Sequence, residues 1–97
     1  MPYRVELLPS SVKELRSLPQ RFRNQVARRI SALESDPRPP GVAPVEGRPG
    51  LLRIRSGDYR ILYRVDDTEL LVTVASIGHR REIYRDLREP ETEEARR

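Results

Sequence analysis

The chain contains no cysteine and no tryptophan, and only one histidine and one methionine. The lack of cysteine excludes disulfides and thiolate metal sites and accords with a reducing cytoplasm, the expected location. With His79 the sole histidine, a metal site would have to be built mostly from carboxylates. No acidic cluster has that spacing, so neither a metal nor a cofactor is expected. No apolar run approaches the roughly 18–20 residues of a membrane span, and hydrophobic residues make up only 36% of the 97. A basic-then-apolar leader is not expected either, because the pattern enters a strand almost at once. Membrane association is therefore not expected. Lysine is nearly missing too: of the 19 Lys and Arg residues, all but Lys13 are arginine.

What is abundant is charge, at 35% of residues, with a net +4 and a pI of about 10.1. Glu89, Glu91, Glu93 and Glu94 against Arg96 and Arg97 give the C-terminal stretch −2, which leaves +6 on residues 1–88. The pattern predicts one domain over 1–88 and an acidic, disordered tail over 89–97. A basic domain of this size suits a polyanionic partner. An arginine bias also follows from a GC-rich genome, so charge alone leaves nucleic-acid binding open.

Alternation from Tyr3 to Leu8 predicts a first strand, stopped by Pro9. Ser10 or Ser11 is the expected cap of a short helix with Val12, Leu15 and Leu18 on one face. Pro19 breaks it and opens a second helix to about Ser35, whose stripe is Phe22, Val26, Ile30 and Leu33 with Ala27. Asp36–Gly50, rich in proline and glycine, reads as a loop. Asp66-Asp67-Thr68 is a turn before a final apolar strand, Glu69–Ile77, and Glu82–Arg88 is a short helix or extended segment. The expected class is α+β, a small antiparallel sheet with a helical hairpin on one face, in the order β-α-α-β-β-β.

Residues 50–65 are the most informative stretch. They read as two strands joined at Ser56-Gly57-Asp58, with arginine at nearly every second position. Side chains alternate faces along a strand. Leu52 and Ile54, with Tyr59, Ile61, Tyr63 and Val65, therefore face a core, while Arg53, Arg55, Arg60 and Arg64 share the other face with Leu62. Like charges this close repel, so folding alone gains little from them. Guanidinium pairs bidentately with phosphate, so such a face suits a phosphate-bearing partner.

The element order, the strand Gly57-Asp58-Tyr59-Arg60-Ile61-Leu62-Tyr63-Arg64-Val65 and the closing Ile77-Gly78-His79-Arg80-Arg81-Glu82-Ile83-Tyr84-Arg85 resemble the RelE/ParE superfamily of bacterial toxins. The resemblance spans about residues 3–85. It implies a ribosome-dependent endoribonuclease that cuts mRNA, neutralised by a cognate antitoxin and reaching operator DNA only through the antitoxin complex. The working residues it implies are Arg53, Arg60, Arg80 and Tyr84. Two positions before Arg53, where the best-known member is basic, this chain has Leu51, and His79 stands where that member has lysine.

In the implied chemistry the RNA 2′-hydroxyl attacks the adjacent phosphorus and the 5′-oxygen leaves. Arg53, Arg60 and Arg80 would stabilise charge on the phosphoryl oxygens, and Arg55, Arg64 and Arg81 would contact the RNA. Guanidinium is a poor proton donor. Proton transfer therefore falls to His79, the residue type best tuned to it near neutral pH, or to Tyr84 or Glu82. Tyr84 could equally stack on a base. Alternatives remain at two positions: Arg64 also suits a surface pair with Asp66 or Glu69, and Arg55 a solvated edge. ParE-like chains, which inhibit DNA gyrase without cutting RNA, generally lack the catalytic set. Its retention here favours the nuclease over a gyrase inhibitor or an inactive antitoxin-binding relative.

Overall fold

A computed structural model describes residues 2–79. The expected segment at Glu82–Arg88 and the tail 89–97 lie outside the described residues. Strand β1 (Arg4–Leu7) leads into α1 (Pro9–Arg16) and α2 (Gln20–Ser31), the latter extended by a 3-10 turn over Ala32–Glu34. Strands β2 (Ala43–Pro44), β3 (Leu52–Ser56), β4 (Tyr59–Asp66) and β5 (Leu71–His79) complete a five-stranded sheet in the order β1-β5-β4-β3-β2. The α+β class and the hairpin covering one face are as the sequence pattern implies. No described helix is long and apolar enough to cross a membrane.

Four local expectations are corrected. The sheet is antiparallel except at its edge, where β1 runs parallel to β5. β2 emerges inside the expected loop, pairing Ala43 with Arg53 and Pro44 with Leu52. Proline is admissible there because an edge strand leaves one row of amides unpaired anyway. Ser10 and Ser11 do not cap α1; the N-cap residue is Leu8, in extended conformation, with Pro9 opening the first turn. Ala27 is exposed, so the buried stripe of α2 narrows to Val26, Ile30 and, beyond its end, Leu33.

The main core lies between the hairpin and the sheet, where Val26, Ile30 and Leu33 meet Ile54, Ile61, Tyr63, Val72, Val74 and Ile77. A smaller apolar cluster of Val45, Leu51, Leu62 and Ala75 lies on the other face. β4 is therefore buried on both faces, as an inner strand should be. Leu62, expected among arginines, is the centre of this second cluster rather than an exposed residue, and Leu51 packs beside it.

β1 pairs only as far as Val74, so β5 outlasts its neighbour. Helix α1 takes over that edge with polar groups. The Leu8 amide and the Ser11 hydroxyl both donate to the Val74 carbonyl, at 3.0 and 3.1 Å. The Ile77 amide donates to Glu14 Oε1 at 2.8 Å. Buried backbone groups need such partners, which explains why Ser11 is fully buried.

Tyr63 anchors the loop after the hairpin, its hydroxyl donating to the Pro37 carbonyl at 2.7 Å. Burial pushes its phenol up to about 12, against the opposing field of Arg29 and Arg38. Nearby, Arg38 grips Asp67 through both terminal nitrogens at 3.1 and 2.9 Å, and the Tyr3 hydroxyl donates to the same carboxylate at 2.6 Å. These bonds hold the Asp67 carboxyl below its usual range.

Two outcomes are expected. Glu14→Ala strips the Ile77 amide of its acceptor and should lower the unfolding free energy by roughly 1.5–3 kcal/mol, as for hydrogen bonds to charged groups. Glu14→Gln, which keeps an acceptor oxygen, should cost less. Urea melts decide, and equal losses in the two variants would refute the role of that bond. The second outcome concerns Tyr63. Its phenol has a folded value of about 12, above the roughly 10 of an unfolded chain. The associated stability is thus fully present below the unfolded value and is lost as pH rises from about 10 towards 12. Wild type should lose stability relative to Tyr63→Phe across that window, and parallel loss in both would show that the phenol ionises freely.

Candidate functional site

On the face of the sheet away from the hairpin lies an open groove of about 420 Å³, lined by Pro44, Val45, Glu46, Arg53 and Arg60. β3 and β4 position the two arginines. Arg55 stands opposite Arg60, and Arg53 opposite Leu62, so Arg53 and Arg60 are diagonal neighbours on one face, a spacing of roughly 7–8 Å in a regular antiparallel pair. Both are half-buried, and Arg60 Nε is buried outright, so their stems are set against the sheet. On its other side Arg60 pairs with Gly78, which has no side chain to compete for the space.

The third wall is the loop after β2, and its shape is closely held. The Val45 amide donates to the Leu51 carbonyl at 2.9 Å, the Arg48 amide to the Val45 carbonyl at 3.2 Å and the Leu51 amide to the Arg48 carbonyl at 3.1 Å. Arg64 reaches this loop from β4, its Nη1 donating to the Pro49 carbonyl at 2.8 Å. A Cβ on Gly50 would lie 2.8 Å from that same nitrogen, and Gly50 also holds a φ of +84°. The positive φ favours glycine here, and a larger residue would also displace the Arg64 guanidinium from the Pro49 carbonyl. The geometry gives Arg64 a part in holding the loop rather than a simple surface pair with Asp66 or Glu69.

The expected site residues divide. Arg53 and Arg60 come together in the groove, and Arg55 lies beside them, exposed, with its carbonyl accepting from Arg29 Nε at 3.1 Å. His79 does not join them. Its ring meets Tyr59 edge-on, with centroids 5.9 Å apart, and Tyr59 in turn meets Phe22 of α2 at 5.5 Å. His79 therefore projects on the hairpin side, away from the arginine face where the expected proton transfer would need it. The cause is a bulge: Leu62 pairs with Ser76 but Tyr63 with Val74. The extra residue flips the alternation, so that Val74 and Ile77 face the same core. Arg80, Arg81, Glu82 and Tyr84 lie outside the described residues.

Glu46 was missed. It sits in a segment that reads as featureless loop, and only the pairing of β2 with β3 brings it to the arginines. A proline-tolerant edge strand ending two residues before it was the available signal. Among the described residues no group of three His, Cys, Asp or Glu side chains could share a metal ion. A second depression, of about 510 Å³, lies near the β4–β5 turn, but Asp66 and Asp67 in its lining make it a poor seat for an anion. Two preset guanidinium groups with one carboxylate beside them can hold a phosphodiester and accept a proton from a hydroxyl next to it.

Comparison with known proteins identifies the family. The sequence model of the family described as ParE toxin of type II toxin-antitoxin system, parDE, matches residues 5–84. Toxin RelG of Mycobacterium tuberculosis is 33% identical over 86 residues, 88% of this chain and 99% of that protein. Among solved structures, the toxin–antitoxin complex RelBE2 of M. tuberculosis contains a chain 30% identical, with a TM-score of 0.72, covering 82% of this chain and all of that one. In the archaeal RelE–RelB complex of Pyrococcus horikoshii the corresponding values are 32%, 0.72, 82% and 97%. The free Escherichia coli RelE toxin, in a double arginine-to-alanine variant, gives 29%, 0.72, 89% and 94%. The chain therefore belongs to the RelE/ParE superfamily, the toxins of type II toxin–antitoxin systems.

Proposed function

We propose that this toxin is a ribosome-dependent endoribonuclease that cleaves mRNA, acting in the cytoplasm. The observation that carries the reading is the groove in which Arg53 and Arg60 converge on a face that folding alone has no reason to charge. In this reading the two guanidinium groups hold the scissile phosphate and neutralise the charge that builds on its oxygens as the 2′-hydroxyl attacks. The field is preset by the strands, so no reorganisation is needed in the transition state. By the family resemblance Arg80 adds a third cation and Tyr84 stacks on a base. Arg55, Arg64 and Arg81 extend the basic surface along the RNA. His79, held against Tyr59, is better placed to contact RNA at the end of the sheet than to move a proton in the groove.

A cognate antitoxin is the expected protein partner. The M. tuberculosis and P. horikoshii relatives were solved in complexes with theirs. An acidic or amphipathic segment that folds onto the arginine face would suit this chain, and operator DNA would be reached through that complex. The second reading is inhibition of DNA gyrase, favoured by one finding, that the matching family description is that of ParE.

Primer extension on mRNA in a reconstituted translation system separates the two. Wild type should cut mRNA on ribosomes, leave naked mRNA intact and leave gyrase supercoiling unaffected. Removing one preorganised donor to an oxyanion typically costs about 10²–10³-fold, so Arg60→Ala and Arg53→Ala should each lose activity on that order while melting like wild type. Supercoiling inhibition without mRNA cleavage would replace this reading with the second one. Full activity in both arginine variants would move the site elsewhere.

A further inference from the structure

Among the described residues, the arginine groove, read as a nuclease site, receives no proton acceptor from those expected to supply one; Glu82 and Tyr84 lie outside them. His79 projects on the opposite side of the sheet. Pro44 and Val45 offer no titratable group, and guanidinium does not give up its proton. The remaining lining residue is Glu46. The geometry points to Glu46 as the catalytic base, the group that takes the proton from the attacking 2′-hydroxyl of the RNA. The inference rests on the nuclease reading and deepens it.

Three features place Glu46 for that task. It lies two residues past the end of β2, and β2 is paired to the strand that carries Arg53, with Ala43 opposite Arg53. Its loop is pinned by three backbone bonds between Val45 and Leu51 and by Arg64 on the Pro49 carbonyl. A base on so constrained a loop can keep its position relative to the phosphate clamps. The Gly47 φ of +79° lets the chain reverse immediately after Glu46, so that the carboxylate stands at the groove's rim and not along a continuing strand.

The step balances with groups already named. A Glu46 carboxylate oxygen accepts the 2′-hydroxyl proton, and the freed oxygen forms a bond to phosphorus. The bond from phosphorus to the 5′-oxygen breaks, and its electron pair stays on that oxygen, which takes a proton from water. The products are a 2′,3′-cyclic phosphate and a 5′-hydroxyl end. Attack and departure lie on opposite sides of the phosphorus, so a carboxylate beside the nucleophile does not serve the leaving group. Arg53 and Arg60 hold the oxygens between them. The competing role for Glu46 is structural, offsetting the repulsion of two adjacent arginines.

The test is single-turnover cleavage of ribosome-bound mRNA by the full chain, with affinity for the mRNA–ribosome complex measured in parallel. Glu46→Gln keeps the size and removes the base. It should slow cleavage by about 10²–10⁴-fold, the usual worth of general base catalysis, with affinity unchanged or raised. Glu46→Asp should retain more activity than Glu46→Gln, and added formate should partly restore Glu46→Ala. A wild-type rate in Glu46→Gln overturns the assignment, as does a loss of rate that only follows a fall in melting temperature or affinity. Absence of cleavage by wild type itself would instead bring down the nuclease reading, and the assignment with it, without reference to any Glu46 variant.

Discussion

The bulge in β5, where Ala75 is left over between the Leu62–Ser76 and Tyr63–Val74 pairs, fixes which side chains reach which face of the sheet. Up to Val74 the strand alternates with Val72 and Val74 towards the hairpin; beyond the bulge, Ile77 takes that face instead of Ser76. An unbroken strand would have turned Ser76 and Gly78 into the main core and Ile77 and His79 onto the arginine face. The bulge thus saves an apolar residue for the core and sets Gly78 beside Arg60. The same shift carries His79 away from the groove. One inserted residue thereby decides both the packing of the hairpin and the membership of the site.

The bulge also complicates the edge of β5, and α1 resolves it. Where β1 ends, the strand needs acceptors and donors from elsewhere, and Ser11 and Glu14 provide them from a helix rather than another strand. Glu14 is consequently turned inward, in a hairpin that otherwise presents Lys13, Arg16, Arg21, Arg23, Arg28 and Arg29 and whose second helix has no acidic residue at all. From sequence alone Ser11 reads as a helix cap, a role that is locally valid, and nothing near Glu14 in the chain marks it as a partner of the sheet. Their actual partners lie 63 residues away, beyond the reach of a local pattern.

That contrast describes how legible the chain is. The period-2 alternation of residues 52–65 predicts β3, β4 and the division between Ile54 or Ile61 and Arg53 or Arg60, and the helical stripe through Val26 and Ile30 is equally plain. These are long, strongly periodic signals. The parallel β1–β5 pair, the two-residue β2 and the bulge carry none. β2 is hidden in a proline-rich segment, and Glu46 with it, while the break at Ala75-Ser76 shows only as a change of apolar spacing from two to three between Val72, Val74 and Ile77. Pairing in space supplies what periodicity lacks.

The groove's dimensions bear on why a larger partner belongs to the proposed activity. Its volume, about 420 Å³, is at the small end for a ligand site, and it is open along one side of a flat sheet. Two cations and a carboxylate can grip one phosphodiester, but among the described residues little in the lining grips the nucleotides on either side. Leu51, Leu62 and Val45 are spent on the cluster beneath. Holding a flexible RNA strand in the in-line conformation is entropically costly, and well-oriented reactants can gain roughly 7–11 kcal/mol from being so held. Among the described residues, a groove this shallow has few contacts from which to supply that ordering. A scaffold that already constrains the mRNA can, which leaves the toxin to contribute the charged groups at the phosphate.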